Sequence, residues 1–232
     1  KMFNFIKSFL TNRKFSVRVN DTSSNVFPMD NGIPQGSPLS VTLFIIAFDD
    51  LSRILNIDKR IEHCIYADDL YVIANEQEND KISEVFQEVL LKINNWSVTS
   101  GADISFEKTN HLHICKKRNC NVINITFNNF SIQNVNNCKI LGINIDCKYN
   151  FKNHCNYLKK DLTIRLNIIK YLSSNKSQMH TNSLLRLVNS VMLSKIDYGL
   201  VIYNKTSKTT FKIVETILNA AIRTSLRAFR TT

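Results

Sequence analysis

The chain has little proline and glycine and lacks any long apolar segment. Three of its 232 residues are Pro and five are Gly, while hydrophobic residues make up 44% and charged residues 21%. No apolar run approaches the roughly 20 residues that a membrane-spanning helix needs, and no secretory signal is present. The composition therefore excludes a disordered chain and indicates a globular protein with a substantial core.

Acidic residues are few relative to basic ones. Thirty Lys and Arg against 19 Asp and Glu give a net charge of +11 and an isoelectric point near 9.4. An excess of this size favours a polyanionic partner, most simply nucleic acid. Solvated surface lysines would give the same net charge, so the charge leaves both interpretations open.

The six cysteines lack any zinc-ligand spacing. Cys115 and Cys120 flank K-K-R-N, and Cys147 and Cys155 lie on either side of a predicted helix start beside His154. Neither arrangement matches the paired spacings of zinc sites. We therefore expect reduced intracellular thiols in preference to a metal centre.

Apolar periodicity divides the chain into two regions. Helical spacing and strand-like alternation both occur in the first part. The predicted helices there are 1–11, 37–51 and 79–100, and the predicted strands are 15–19 (half-buried), 26–29, 111–115, 122–127 and 139–145. From Phe151 onward only helical spacing continues, at 158–172, 184–196 and 211–226. The sequence thus predicts an α+β fold over residues 1–150 and an all-helical region over residues 151–232.

A tight loop precedes the second predicted helix. Two of the five Gly and two of the three Pro lie in Asn31–Ser40, which reads N-G-I-P-Q-G-S-P-L-S. Ser37 and Pro38 are typical of a helix N-cap and first turn. A glycine-bearing loop before a helix can let the backbone approach a nucleotide or base pair closely, although a simple capping turn has the same composition.

Two adjacent acids interrupt an apolar run between Ile61 and Ala74. This segment reads I-E-H-C-I-Y-A-D-D-L-Y-V-I-A and is typical of a β-hairpin with Asp68 and Asp69 at or beside its tip. Like charges side by side repel, and a divalent cation such as Mg²⁺ removes that conflict. An Asp-Asp turn without a metal is the alternative, because Asp is common where chains reverse.

The order of these motifs carries more information than either motif alone. G-I-P-Q-G-S-P-L-S followed, after one helix, by Y-A-D-D resembles the reverse transcriptases of non-long-terminal-repeat retrotransposons of the insect type. The later segments S-G-A-D-I-S-F-E-K-T and K-I-L-G-I-N-I-D resemble further segments of that family, in the same order. The resemblance covers essentially the whole chain, loosely after about residue 150.

The resemblance implies a fold and a set of site residues. The fold would be part of a right-hand polymerase palm, with an antiparallel sheet and packed helices over residues 1–150, followed by a thumb-like helical region. The implied residues are the catalytic and metal-binding Asp68 and Asp69, the catalytic Lys108, the substrate-binding Pro34, Gln35, Gly36, Tyr66 and Ala67, and the primer-grip residues Leu141 and Gly142.

The resemblance also implies cofactors and partners. Two Mg²⁺ or Mn²⁺ ions would serve nucleotidyl transfer, with an RNA template, a DNA primer and deoxynucleoside triphosphates as partners, no membrane, and a nuclear location. Basic residues of the helical region would hold the RNA–DNA duplex through its backbone. These are Lys159, Lys160, Arg165, Lys170, Lys176, Lys205, Lys208, Lys212, Arg223, Arg227 and Arg230.

One implied metal ligand has no counterpart in the chain. The polymerase class needs a further Asp on a strand upstream of Lys1, and the chain starts without Met inside an amphipathic pattern. We therefore expect a fragment of a longer protein that is inactive alone. Two alternatives stay open: a decayed or repurposed remnant that only binds nucleic acid, and an intron-maturase-like reverse transcriptase.

Overall fold

The computed structural model describes residues 1–30, 32–76, 78–117, 123–127, 130–174, 177, 179–203 and 205–228. Predictions that concern Asn31, Cys120, Val122, Lys176 and Arg230 lie outside these residues. Contacts divide the chain into two units, Lys1–Ile104 and Ser105–Thr232. The predicted functional division near residue 150 stays a prediction.

Helices and short antiparallel strand pairs build the first unit. Its elements are α1 (Met2–Leu10), β1 (Lys14–Phe15), β2 (Arg18–Val19), β3 (Thr22–Ser23), β4 (Phe27–Pro28), α2 (Pro38–Asn56), β5 (Ile61–Tyr66), β6 (Asp69–Ala74) and α3 (Asn79–Ser100). Strand β1 pairs with β4, β2 with β3 and β5 with β6. The predicted helices are therefore confirmed, and the predicted strand 26–29 is present as β4, paired with β1.

The core of the first unit lies between α2, β5 and α3. Apolar residues at helical spacing on α3 are buried against α2, and the Phe48 ring meets Trp96 edge-on with ring centroids 5.0 Å apart. The expectation that the α3 stripe, including Trp96, is core is confirmed. Gly101 ends α3 in the left-handed conformation, with φ +71.

Two local predictions in this unit are wrong. The strand pattern at residues 15–19 predicted a half-buried strand, but Phe15 and Val19 are 42% and 65% exposed. Alternation marks two faces of a strand, and only a packing partner buries one of them. The N-cap of α3 is Glu78 instead of Asn79 or Asp80. Ser37 is the N-cap of α2 and Pro38 its first residue, as predicted, and the cap is made without a side-chain hydrogen bond.

The second unit begins with strands and continues as helices. Its elements are β7 (Asn110–His111), β8 (Ile125–Phe127), β9 (Phe130–Asn134), β10 (Asn137–Ile140), β11 (Ile143–Asp146), α4 (Lys152–Ser173), α5 (Thr181–Val188), a π-helical turn (Asn189–Leu193), α6 (Ser194–Asp197), α7 (Leu200–Tyr203) and α8 (Lys208–Ser225). Strand β9 is parallel to β7 and antiparallel to β8. Mixed helix and sheet confirm the α+β class.

The strand predictions in this unit need two corrections. Strand β7 is Asn110–His111, so of the predicted strand 111–115 only His111 belongs to a strand, although the Cys115 N–H donates to the Cys147 carbonyl at 3.0 Å. The predicted run 139–145 is a hairpin, β10–β11, that reverses at Leu141 and Gly142. A uniform β-branched pattern does not reveal a reversal when one of the turn residues is apolar.

The helices of the second unit share one core. Their inward residues form a continuous apolar cluster: Cys155, Leu158, Leu162, Leu166, Ile169, Val188, Met192, Ile196, Tyr203, Val214, Ile217 and Ala221. The three predicted long helices are confirmed, with the second one passing through the π-helical turn. No helix in the described ranges is long and apolar enough to cross a bilayer.

The cysteines only partly follow the prediction. Cys64, Cys138, Cys147 and Cys155 are free thiols. Cys115 is disulfide-bonded, so the expectation of reduced thiols is wrong there. Sequence spacing tests for zinc-ligand patterns, but the backbone path decides whether two sulfur atoms come within bonding distance.

Candidate active site

The two acids lie at the end of a tight hairpin. Strands β5 and β6 pair without interruption from Ile61 and Ala74 to Tyr66 and Asp69. Only two residues connect the strands, and the first of them, Ala67, has φ +51. A non-glycine residue in this left-handed region is uncommon, and strained residues of this kind concentrate at functional sites. The predicted hairpin is confirmed.

The hairpin separates an apolar face from a polar one. Side chains alternate along each strand, and Ile65, Leu70 and Val72 pack against the core between α2 and α3. The opposite face carries Tyr66 and Asp69, which are exposed. Anchoring by one face fixes the register, because a slip of one residue would turn the apolar side chains to solvent.

A tyrosine holds the second acid. Asp68 and Asp69 are both exposed, and the Tyr71 hydroxyl donates a hydrogen bond to Asp69 Oδ2 at 3.0 Å. This contact was not predicted from the sequence. The i, i+2 spacing of Asp69 and Tyr71 on one strand face was the available signal. The contact orients one carboxylate while leaving that of Asp68 free of protein donors in the described structure.

A charged network holds the base of the hairpin, just before β5. Asp58 accepts hydrogen bonds from Arg60 Nε at 2.9 Å, Arg60 Nη2 at 2.7 Å and Lys92 Nζ at 3.1 Å, and Arg60 also pairs with Glu88. The Asp58 side chain is 5% exposed. Hydrogen bonds from Arg60, more than those from Lys92, hold the pKa of the Asp58 carboxyl well below its usual range, despite its burial. This network was not predicted from the sequence.

The proline-glycine loop belongs to the same unit as the hairpin. Gly36 has φ +89, and its Cα faces open space, while Gln35 is exposed. The buried Ser40 donates its hydroxyl to the Pro34 carbonyl at 2.5 Å, which fixes the loop onto the first turn of α2. Helix α2 then packs against β5, where Ser52 Oγ lies 3.0 Å from His63 Nε2. The loop backbone is thus held and accessible.

Lys108 lies in the second unit, on a turn before β7. The turn is closed by hydrogen bonds from Lys108 N and Thr109 N to the Ser105 carbonyl, both at 3.2 Å. The Phe106 ring stacks on Phe130, with ring centroids 5.9 Å apart, and Lys108 itself is exposed. The turn is therefore anchored by Phe106 while the lysine remains in solvent.

Leu141 and Gly142 form the two-residue connection of β10–β11. Both have positive φ, +45 and +88, which is the pattern of a type I′ hairpin turn. The Tyr198 hydroxyl donates to the Leu141 carbonyl at 2.6 Å. No sequence signal predicts this contact, because the two residues are 57 positions apart.

Most described basic residues of the helical region are exposed. Of the basic residues predicted to hold a duplex, the exposed ones are Lys159, Lys160, Lys170, Lys205, Lys208, Lys212 and Arg227, and Arg165 and Arg223 are half-buried. Arg165 is an exception among the predicted residues, because its guanidinium is bound to Asp161 and, at 2.7 Å, to the Val191 carbonyl. Arg165 therefore stabilises the helix packing and is occupied by protein partners.

The donor atoms at the hairpin tip fit a hard divalent cation. Adjacent exposed carboxylates provide the oxygen ligands that Mg²⁺ and Mn²⁺ prefer, with positions left for water or phosphate oxygens. In the part of the chain that the structure describes, no group of three or more His, Cys, Asp or Glu side chains could hold a metal. Asp68 and Asp69 thus fit part of a metal site.

Comparison with known proteins gives a consistent family. The family described as "Reverse transcriptase (RNA-dependent DNA polymerase)" matches residues 1–145. The "RNA-directed DNA polymerase from mobile element jockey" of Drosophila funebris is 24% identical over 214 residues, covering 90% of this chain and 23% of that protein. The "Probable RNA-directed DNA polymerase from transposon X-element" of Drosophila melanogaster is 21% identical over 222 residues, covering 95% of this chain and 24% of that protein. The chain spans about a quarter of these relatives.

Proposed function

This chain belongs to the reverse transcriptase family, and we propose from that premise that its parent protein is the RNA-directed DNA polymerase of a retrotransposon. One observation carries the proposal: Y-A-D-D occupies the exposed end of a tight hairpin whose other face packs on a helical scaffold. A solvent-facing acid pair on a well-anchored hairpin suits metal-dependent chemistry at a large substrate such as a nucleic-acid duplex.

The proposed architecture is part of a palm followed by a thumb-like region. Residues 1–150 would form the palm, close to the range of the family match, and residues 151–232 would form the thumb-like helices. The helices share a continuous apolar core, which supports this role, and residues 105–150 belong to the same compact unit as the helices. Within the described residues no sheet has more than three strands, so the palm sheet of the parent would need strands from elsewhere.

Asp68 and Asp69 would hold the divalent ions in the assembled parent. The ions would lower the pKa of the primer 3′-hydroxyl and stabilise the leaving pyrophosphate, as in other two-metal sites. Asp68 is free of protein donors in the described structure and would be a direct ligand. Asp69, oriented by Tyr71, would complete the carboxylate pair. Tyr66 and Ala67 would shape the surface on which the primer end lies.

The chain alone would not catalyse the reaction. Two ions need more protein ligands than one carboxylate pair supplies, so we assign the remaining carboxylate to a part of the parent upstream of Lys1. The jockey relative is about four times as long as the matched segment, since this chain covers 23% of it, which is compatible with a further ligand-bearing part in the parent.

The remaining predicted site residues would contact the substrates. Pro34, Gln35 and Gly36 would lie against the template and the new base pair, because their backbone is fixed and accessible. Lys108, exposed on an anchored turn, would approach the triphosphate and donate a proton to the departing pyrophosphate. The turn at residues 141–142 would act as the primer grip.

Exposed lysines on the helices would hold the duplex. Their contacts would be with phosphates, so binding would depend on backbone shape and weaken steeply with salt. An RNA template, a DNA primer and deoxynucleoside triphosphates are therefore the proposed partners, and a nuclear location would suit an element that inserts into chromosomal DNA.

Primer extension by the full-length parent tests the proposal. With an RNA template and Mg²⁺, Asp68→Asn should reduce incorporation by at least about a hundredfold. Asp49→Asn is the matched control, because Asp49 is an exposed α2 carboxylate paired with Arg53 and it should leave the rate unchanged. Full activity in the Asp68 variant would contradict the proposal. Incorporation by the isolated chain would contradict the assignment of a missing ligand.

A nucleic-acid-binding remnant is the second candidate, favoured by the exposed lysines of the helical region. It predicts that the chain binds an RNA–DNA duplex with steep salt dependence, that Asp68→Asn leaves this binding unchanged, and that the parent shows no incorporation. Incorporation that Asp68→Asn abolishes would exclude this candidate.

A further inference from the structure

The turn between β10 and β11 contains an unfavourable residue. A type I′ turn requires positive φ at both central positions and is usually Asn-Gly or Gly-Gly. Here the first position is Leu141, at φ +45. This conformation is unfavourable for Leu, because its Cβ comes too close to the following carbonyl oxygen. A contact from outside the hairpin would offset this penalty and hold the turn closed.

Tyr198 provides that contact. Its hydroxyl donates to the Leu141 carbonyl at 2.6 Å, and its ring lies over the turn, since a Cβ added to Gly142 would be 3.5 Å from Tyr198 Cε1. The Tyr198 side chain nevertheless remains 63% exposed. Burial of the ring therefore does not explain its position, and the hydroxyl contact with the turn does.

A second contact from the helices reaches the same hairpin. The backbone N–H of Asn144 donates to Nδ1 of the buried His154 on α4 at 3.3 Å. Gly199, the residue after Tyr198, lies so close to Tyr203 that an added Cβ would be 2.8 Å from the Tyr203 hydroxyl and 3.4 Å from His154 Nε2. The Tyr198-Gly199 pair is thus fixed on one side by packing and presented to the turn on the other.

We infer that Tyr198 is a positioning residue for the primer: it holds the Leu141–Gly142 turn in the conformation in which the turn grips the primer end. This inference rests on the proposed function. It couples the orientation of the helical region to the turn through one hydroxyl group. Loss of the hydroxyl should loosen the turn and weaken primer binding while leaving the chemical step intact.

The first test measures the turn alone. In Tyr198→Phe, the backbone amides of Ile143 and Asn144 should exchange hydrogen about fivefold faster than in the wild-type chain, because a lost hydrogen bond allows local opening. Tyr171→Phe, on the exposed face of α4, is the matched control and should exchange as the wild type does. Equal exchange in Tyr198→Phe and Tyr171→Phe would overturn the inference, whatever the protein binds.

A rescue variant separates positioning from general damage. Asn accepts the left-handed conformation more readily than Leu, so Leu141→Asn in the Tyr198→Phe background should return the exchange of the Ile143 amide towards the wild-type rate. No recovery would mean that strain at Leu141 is not what the tyrosine offsets, which would also overturn the inference.

The second test measures the primer in the full-length parent. Tyr198→Phe should raise the KM for primer–template by about threefold to tenfold with kcat unchanged, because ground-state positioning is lost and chemistry is not. A fall in kcat at constant KM, or no change in either, would overturn the primer role even if amide exchange is faster. Absence of incorporation by the wild-type parent would instead overturn the proposed function, and the exchange test would still decide whether Tyr198 holds the turn.

Discussion

Two hairpins in this chain have equally short turns and opposite supports. In both β5–β6 and β10–β11, two residues connect the strands, and the first connecting residue is a non-glycine with positive φ, Ala67 or Leu141. The first hairpin is fastened at its base by Asp58 and ends in an exposed acid pair. The second is fastened at its tip by Tyr198.

The difference shows which part of each hairpin is available to a ligand. A tip that must coordinate metal ions needs free oxygen atoms, so its stability has to come from the base and from the apolar face. A tip that grips a polymer chain needs a fixed backbone, and an external hydrogen bond supplies it. The two turns also differ in geometry, because Gly142 has positive φ and Asp68 does not, so each proposed role has its own turn and its own support.

Removing the base support of the first hairpin should have the largest effect. Asp58→Ala takes away a buried carboxylate that accepts bonds from Arg60 and Lys92, and we expect a loss of about 2–3 kcal/mol in unfolding free energy. The exposed pair of Asp49 and Arg53 is the control, since Asp49→Ala should cost less than about 0.5 kcal/mol. Urea unfolding monitored by the single Trp96 measures both, and equal losses would contradict the contrast.

Filling the space behind the second hairpin should have the next largest effect. Gly199→Ala places a methyl group 2.8 Å from the Tyr203 hydroxyl, and Tyr203 is only 8% exposed. We expect a destabilisation of about 1–2 kcal/mol from overpacking. In the double variant with Tyr203→Phe the clash is relieved, so thermal unfolding should recover part of the loss. A wild-type melting temperature for the single variant would contradict the tight contact.

Relieving the turn strain should have a smaller effect and should differ between the hairpins. Ala67→Gly and Leu141→Gly each remove a side chain from a left-handed residue, and each should gain about 0.5–1 kcal/mol in the turn itself. The gain should appear fully at Ala67, because among the described residues no hydrogen bond from outside the hairpin reaches its turn. At Leu141 the measured gain should be much smaller, because Tyr198 already holds that turn closed. Equal stabilisation, measured by urea unfolding, would remove the contrast.

Falling pH should reduce the stability of the two units in different pH ranges, and the effect near neutrality should be small. Burial, followed by the charge of Lys195, lowers the pKa of His154, so the unfolded chain binds a proton as the pH falls below about 6.5 and the folded chain does not. The second unit should therefore begin to lose stability there. The lowered pKa of Asp58 keeps its contribution intact down to about pH 3.9, below which it is lost as the pH falls towards the folded-state pKa.

Hydrogen exchange at several pH values, corrected for intrinsic rates, separates the two windows. Amides of α4 should open more readily at pH 5.5 than at pH 7.5, while those of α3 should not change until the pH is well below 4. The reverse order would contradict both assignments. In His154→Gln, which cannot take up a proton, the change between pH 7.5 and pH 5.5 should shrink, and the remainder should come from His111 of the same unit, whose pKa burial also lowers.

Local sequence patterns predicted most of the elements near the site. Residues of α3 repeat apolar types at helical spacing, and Gly101 supplies the left-handed C-cap that ends the helix. The hairpin around Asp68 was equally readable, because apolar strands flank a short polar break. Such signals are local, so no knowledge of distant partners is required.

Predictions failed where a distant partner makes the choice. The run Lys139–Ile145 folds back on itself, and a Leu at the turn gave no sign of it. Phe15 and Val19 alternate as half-buried residues do, yet nothing in the described structure covers them sufficiently to bury them. Arg165 looked like one more basic surface residue, but the Val191 carbonyl 26 positions away binds it.

The role of Asp146, which ends K-I-L-G-I-N-I-D, also depends on contacts that the sequence does not reveal. Asp146 is buried, and its carboxylate accepts backbone N–H groups of Lys148, Asn150 and Phe151, with Phe151 N at 2.7 Å. The carboxylate therefore fixes the turn that leads into α4 and is not available to a substrate. Its place in the motif alone gave no such assignment.

From the order of its residues alone, this protein's α+β class, its acid-tipped hairpin and its reverse transcriptase family could be read, because each depends on neighbours along the chain or on motif order. Only the folded structure decided which carboxylates are exposed and which are hydrogen-bonded within the protein. It also decided that Tyr198 contacts the turn at Leu141. Those outcomes depend on contacts between residues such as Leu141 and Tyr198 that are far apart in sequence, and such contacts exist only once the chain has folded.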